Sequence, residues 1–418
     1  GATTVSSNIT LNDNLVVKLA GGSASSTMTL SGIISESGGA KSLTKDSSTL
    51  TLALTGANTF SGGVIIKNGT LESRTTTTTL GSGTATMGGA GSTGATYITG
   101  QGNSNQFVIN APDSGNIAIG ANGSGSGFTL SGGIALNGNL NIRTFDNVIS
   151  GATKASAIIT GGITGTGNLL LNNLGLAANT ITLSTGAINH TGSITVAGSA
   201  TGDTTIGSVI GANVTSVTQN SATSRLVLTN NSNAYTGATN VNAGTLVVNG
   251  NISTSTLTTV SSGATLGGSG TLGAVTVAAG ATLAPGNSPG TLNTGTLTLA
   301  DTSVLSFELN PTNQTVGSNI NDLVSVTGNL TLDGILNVVA TSGDFLAATE
   351  GMAWRLFNYT GTLTNNGVTL GSMPTLTGLV WEIDTTTAGQ VNLVVVPEPG
   401  AALLGGLGVI ALLRRRRD

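Results

Sequence analysis

Apolar and polar residues alternate along most of this chain in short bursts. STLTLAL (48–54), NGTLES (68–73), RLVLTN (225–230), GAVTVAAGATLAPG (273–286) and NLTLDGILNVV (329–339) place Leu, Val or Ile at alternate positions with Thr, Ser or Asn between them. Period two is the pattern of a strand buried on one face. Thr, Val and Ile are stiff at χ1 and favour extended backbone. The Gly-Asn and Asn-Gly pairs between bursts supply left-handed turn conformations. Before residue 400 no stretch carries a capped helical period, so the pattern predicts an all-β fold of many short strands.

The bursts also repeat. ANTFSGGVIIKNGTLES (57–73) aligns with NAYTGATNVNAGTLVV (233–248), setting Phe60 on Tyr235, Gly62 on Gly237, Gly69 on Gly244 and Leu71 on Leu246. A Leu-x-Leu strand precedes each copy, Leu52/Leu54 and Leu226/Leu228. Gly-Ala-Thr-Leu recurs at 263–266 and 280–283, and Gly-Thr-Leu at 270–272 and 290–292. Short strands at regular spacing with fixed turn chemistry fit a solenoid, in which each strand pairs with its equivalent one coil later. A β-sandwich uses similar strands, but similar units run through residues 1–300 without a break in composition, which favours the coil. Leu52, Leu54, Leu71, Leu226, Leu228, Leu246, Leu266 and Leu283 are then expected to point into one stacked core.

Composition agrees with stacking. Only 7% of residues are charged, against about 25% in ordinary globular chains. Hydroxyls and amides stacked along an axis can hydrogen-bond, whereas stacked carboxylates or ammoniums repel. With 38% hydrophobic residues the chain is not a charge-driven disordered one. No cysteine is present, which excludes disulfides and thiolate metal sites. The chain opens at Gly1 without Met or a leading apolar segment, so a signal peptide is expected to have been removed or to lie upstream.

Charge is unevenly spread. Residues 1–300 carry seven acids and eight bases, with no basic stripe, so nucleic-acid binding has little support. Residues 301–396 carry eight acids against Arg355, and six of the twelve aromatics: Phe307, Phe345, Trp354, Phe357, Tyr359 and Trp381. This predicts an acidic terminal unit that closes the open end of the coil, since uncapped strand edges invite aggregation. Residues 397–418 hold Pro397-Glu398-Pro399, the apolar and glycine-containing run Ala401–Leu413, and Arg414, Arg415, Arg416 and Arg417.

Two resemblances follow from these residues. The units around 50–73 and 226–248 resemble the autotransporter-associated β-strand repeat, the second departing from it by Asn-Asn-Ser-Asn-Ala at its turn and by Ala238 in place of the second glycine. That resemblance implies a right-handed parallel β-helix of a secreted surface protein. A C-terminal translocating barrel, with strands that alternate between aromatic girdles, is not visible in this sequence. The tail resembles the PEP-CTERM sorting signal, with Pro397, Glu398 and Pro399 as its motif, 401–413 as a short hydrophobic helix and Arg414–Arg417 as its basic end. It implies cleavage near the motif by a membrane-embedded exosortase and delivery of the body to the envelope or exterior. The apolar run is shorter than the about 20 residues of a free-standing span, but arginines can snorkel and hold their flank in the cytoplasm. An uncleaved anchor is the alternative.

Candidate chemistry is sparse. GSGTLG (268–273) fits a dinucleotide-binding spacing but is followed by strand and turn rather than helix. His190, in NHTGS, has no nucleophile elbow near it in sequence. Glu382 and Asp384 share one face of a strand with Trp381 pointing the other way, and read as a solubilising edge. No catalytic, cofactor or metal residue is therefore assigned. The expected function is a non-enzymatic structural or adhesive protein of the bacterial surface or extracellular matrix, with extracellular polysaccharide or other surface proteins as partners. A polysaccharide-binding or polysaccharide-cleaving β-helix is the competing reading.

Overall fold

The computed structural model describes residues 2–19, 26–73, 79–121, 127–144, 156–175 and 178–398. Among them all regular structure is β-strand and no α-helix occurs. The expected hydrophobic helix at 401–413 lies outside the described residues. Two compact units divide the chain, Gly1–Thr256 and Leu257–Asp418.

The first unit is a parallel coil. Phe107–Asn110, Ile117–Ala121 and Phe128–Leu130 form three successive sides, and each pairs in parallel with its equivalent one coil on. Because side chains alternate faces and pairing is in register, inward residues fall into rows. One row runs Leu52–Leu71–Tyr97–Ile119–Ile142–Leu171–Val196–Gln219–Val241. A second runs Val17–Lys45–Ile66–Met87–Ile109–Leu136. A third runs Phe128–Ala157–Ile181–Thr204–Leu226–Leu246. The eight leucines expected inside are all fully buried. Within this unit, Leu52 and Leu71 occupy one row, Leu226 and Leu246 another.

The second unit repeats the plan. Leu266, Leu283, Leu305, Leu336 and Leu370 stack in one row, and Val275, Leu297, Leu330 and Leu363 in another. Parallel pairing thus continues without interruption past Asp301, where acidity and aromatic content rise. The compositional shift changes the outward positions, while LSFEL, LVSV and LTL keep the inward alternation that register depends on. Antiparallel pairing begins at Ala353–Tyr359, which pairs with Gln390–Pro397, itself paired with Leu379–Asp384. Phe345, Trp354 and Trp381 meet edge to face beside this sheet at centroid separations of 5.2, 5.3 and 5.6 Å. The two indole N–H groups donate to the carbonyls of Asn310 and Pro374, so buried Trp354 and half-buried Trp381 keep their polar ends paired.

Candidate functional site

The two sequence repeats fold alike, and their polar residues explain why. Lys45 and Gln219 stand at equivalent positions, each in an inward row and each buried. Leaving a polar end unpaired in such a row is costly. Lys45 turns its ammonium to the carbonyls of Ser47 and Asn68, the latter at 2.6 Å. Gln219 turns its amide to the carbonyls of Ser221 and Ser224, at 3.1 and 2.6 Å. Lys45 does so where the strand Leu43–Leu54 slips its register against Val64–Ser73, and Gln219 where the strand Val214–Gln219 ends. The next coil needs glycine where it passes these same residues. Gly69 and Gly244 have φ of +77° and +62°, and a Cβ would lie 2.2 and 2.1 Å from the carbonyl oxygens of Ser47 and Ser221. Burial pushes the Lys45 pKa down to about 8, with neighbouring Asp46 opposing the shift. The Asn68 amide, and after it Lys18, holds the Asp46 carboxyl below its ordinary value.

Asn58 and Asn233 form a second equivalent pair. Asn58 accepts from the Ile34 N–H at 2.8 Å and donates to the Thr79 carbonyl at 2.7 Å, one coil before and one after. Asn233 accepts from the Ile210 N–H at 2.9 Å and donates to the Asn230 and Asn251 carbonyls at 2.8 and 3.0 Å. Phe60 and Tyr235, also equivalent, are fully buried. The extra hydroxyl of Tyr235 is met by Thr239 at 2.8 Å, where the first repeat has Val64. Lys45, Gln219, Asn58 and Asn233 do not stand out in the hydrophobic pattern, although aligning the repeats already sets Asn58 on Asn233.

His190 is fully buried in an irregular stretch. Its Nε2 lies 3.4 Å from the Ser193 carbonyl, its Nδ1 has no partner, and burial lowers its pKa. A neutral, enclosed imidazole without a carboxylate cannot serve as an accessible base. Glu382 and Asp384 lie on Leu379–Asp384, opposite Val394 and Asn392. Asp384 accepts from the N–H and hydroxyl of Thr386, which lower its pKa. No basic side chain meets either carboxylate among the described residues. Asp322 is buried and accepts from the Gly290 and Glu308 N–H groups at 2.8 and 2.7 Å. Burial nonetheless raises its pKa to about 7. It clamps the Gly286–Gly290 turn. GSGTLG spans the end of one strand, Thr265–Gly268, and the short strand Thr271–Leu272, and opens no helix. Among the described residues no group of three His, Cys, Asp or Glu gathers as metal ligands, and no helix is long and apolar enough to cross a membrane.

Of the sorting motif, Pro397 ends the strand Gln390–Pro397 opposite Leu379, and Glu398 follows it; both are exposed. Pro399 and Arg414, Arg415, Arg416 and Arg417 lie outside the described residues.

A family comparison falls on the same segments. The passenger-associated-transport-repeat family matches residues 45–72 and 223–248, the two stretches whose corners are described above. Over 112 residues, 26% of this chain, the sequence is 46% identical to the adhesin BmaC autotransporter of Brucella suis biovar 1 (strain 1330), of which the match covers 3%. The chain is thus similar, over about a quarter of its length, to a small part of a far longer adhesin.

Proposed function

We propose that this protein is an exported, non-enzymatic β-coil with a structural or adhesive role at the bacterial surface or in the extracellular matrix. The observation that carries this reading is the match of both repeats to a passenger repeat, together with the identity to a segment of an autotransporter adhesin. The physical character of the coil supports it. Rows of buried Leu, Val and Ile, stitched at the corners by Asn58, Asn233, Lys45 and Gln219, leave neutral Thr, Ser and Asn faces outside. Such faces resist salt and pH changes that would disrupt a charged surface. The burial of His190 and the edge position of Glu382 and Asp384 weigh against catalysis.

Delivery follows, in this reading, from the tail. Exosortase recognises Pro397-Glu398-Pro399 while residues 401–413 sit transiently in the membrane and Arg414–Arg417 remain cytoplasmic. Proline fixes its own backbone angle and biases the preceding residue away from helix, leaving Glu398 extended for a protease. Mass spectrometry of the C-terminal peptide of envelope or secreted material tests this. An end near residue 399 is expected; an intact arginine end on surface-located protein would make the tail a permanent anchor.

A further inference from the structure

A groove of about 640 Å³ opens on the first unit where three successive coils turn a corner. Its shape comes from unequal turns. Between Phe107–Asn110 and Ile117–Ala121 the chain makes a long loop, 111–116. One coil later Ile134–Asn137 and Leu140–Arg143 are joined by Gly138 and Asn139 alone. The long loop therefore overhangs the shorter turns, and it sits so close that a Cβ on Gly138 would lie 2.6 Å from the Ala111 nitrogen. Asp113 and Asn116 form the overhanging wall; Asn139, Asn141, Asn168 and Leu170 form the floor.

The floor presents amides whose orientation is already fixed. Asn139 Oδ1 accepts from the Asn168 N–H at 2.8 Å, and Asn168 Oδ1 accepts from the N–H and hydroxyl of Ser193 at 2.9 and 3.1 Å. Each oxygen is held by the next coil, and neither NH2 group donates to a described residue. Asn141 occupies an outward position in register with Leu170, and its Oδ1 is buried without a partner. An unpaired buried carbonyl oxygen is costly, and native structures retain few of them. A ligand hydroxyl would satisfy it while accepting from the neighbouring amides.

Asn116, Asn139 and Asn168 stand on successive coils about 4.8 Å apart, close to the advance of one ring in an extended β-linked sugar chain. Leu170 offers an apolar patch for a ring face. Among the described lining residues the one charge is Asp113, whose Oδ2 accepts from the Gly91 N–H, so an anionic ligand would meet a carboxylate and no lining cation. The geometry points to a binding site for a linear, neutral, β-linked glycan, lying across Asn139, Asn141 and Asn168 beneath the 111–116 loop. This deepens the adhesive reading and rests on it: attachment would then act in part through recognition of uncharged polysaccharide.

Calorimetric titration of the purified chain with cellohexaose, chitohexaose and an oligogalacturonate of equal length tests the site. Binding of at least one neutral hexamer is expected, with no binding of the anionic one. Asn141→Leu continues the apolar row of Leu170, so its melting temperature should be unchanged or higher while hexamer binding weakens about tenfold, the loss of one good hydrogen bond. Asn116→Ala, in the overhanging wall, should weaken binding in the same direction. Absence of binding by both neutral hexamers, preference for the oligogalacturonate, or binding indifferent to Asn141→Leu would each overturn the proposal. Retained surface attachment without hexamer binding would overturn the groove and leave the adhesive reading intact; hexamer binding without attachment would do the reverse.

Discussion

Lys45 and Gln219 occupy one and the same corner of the two repeats, each leaving a buried row to donate to the carbonyl two residues ahead, Ser47 in one and Ser221 in the other. An ammonium and a carboxamide thus do the same work, but only one of them titrates. The folded pKa of Lys45 is about 8 against an ordinary 10.5. Between those values the unfolded chain holds a proton that the folded chain has released, so stability rises with pH across that window. Denaturant midpoints measured between pH 8 and 10.5 should therefore rise in the natural protein relative to Lys45→Gln, which lacks this group. Parallel midpoints in the two proteins would show that Lys45 does not titrate as its burial requires.

Lys45→Met separates packing from hydrogen bonding. The thioether fills the row but leaves the Ser47 and Asn68 carbonyls unpaired, which should cost about 2–3 kcal/mol. Lys45→Gln should recover most of it. Urea titration of the three proteins reads the difference, and equal stability of Met and Gln would remove the corner bonds from the energetics of the repeat.

The rows themselves are tested by two neighbouring substitutions. Leu246 stacks directly on Leu226 and is fully buried, whereas Val247 faces outward. Leu246→Asp places an unpaired carboxylate in the row and should cost more than about 4 kcal/mol. Val247→Asp should cost about 1 kcal/mol or less. Thermal melts followed by circular dichroism distinguish them, and similar melting temperatures would contradict the register.

Asn233 joins the coil before it to the coil after it through its bonds to Ile210 and Asn251, and braces its own turn through a third to Asn230. Asn233→Ala should cost about 2–3 kcal/mol. It should also release the Ile210 amide to faster hydrogen exchange, which a mere loss of packing at residue 233 would not do selectively.

In the second unit, Val304–Leu309 and Leu323–Val326 cover the edges of Thr282–Pro285 and Thr291–Thr294. A chain ending at Ala300 would expose those edges to pairing with another copy. Light scattering should detect concentration-dependent self-association of this truncated chain and not of the full one. A monodisperse truncated chain at high concentration would remove the capping role of the C-terminal segment.

Much of this architecture is legible in the order of residues, because period two and a repeated Leu-x-Leu are direct consequences of one buried face. What escapes is anything set by comparison between coils. The rise in acidity and aromatic content at Asp301 suggests a boundary, yet the inward Leu305, Phe307 and Leu309 continue the register, since pairing responds to the buried face and charge to the exposed one. Lys45 looks like a surface lysine within a polar TKDSS run; only the register with Val17 and Ile66 puts it inside. The groove below 111–116 depends on one turn being longer than the next, a relation between residues far apart in the chain. His190 lies in an irregular stretch, and nothing in NHTGS announces its burial.

The most direct measurement of the proposed role is attachment itself. Beads coated with the purified chain, and with the Glu382→Gln, Asp384→Asn double variant, can be counted on polysaccharide-coated and protein-coated surfaces under flow. Both preparations should be retained equally and well above uncoated beads, with no release of sugar fragments. Retention no better than uncoated beads, or depolymerisation of the polysaccharide that the double variant abolishes, would contradict a non-enzymatic adhesive coil.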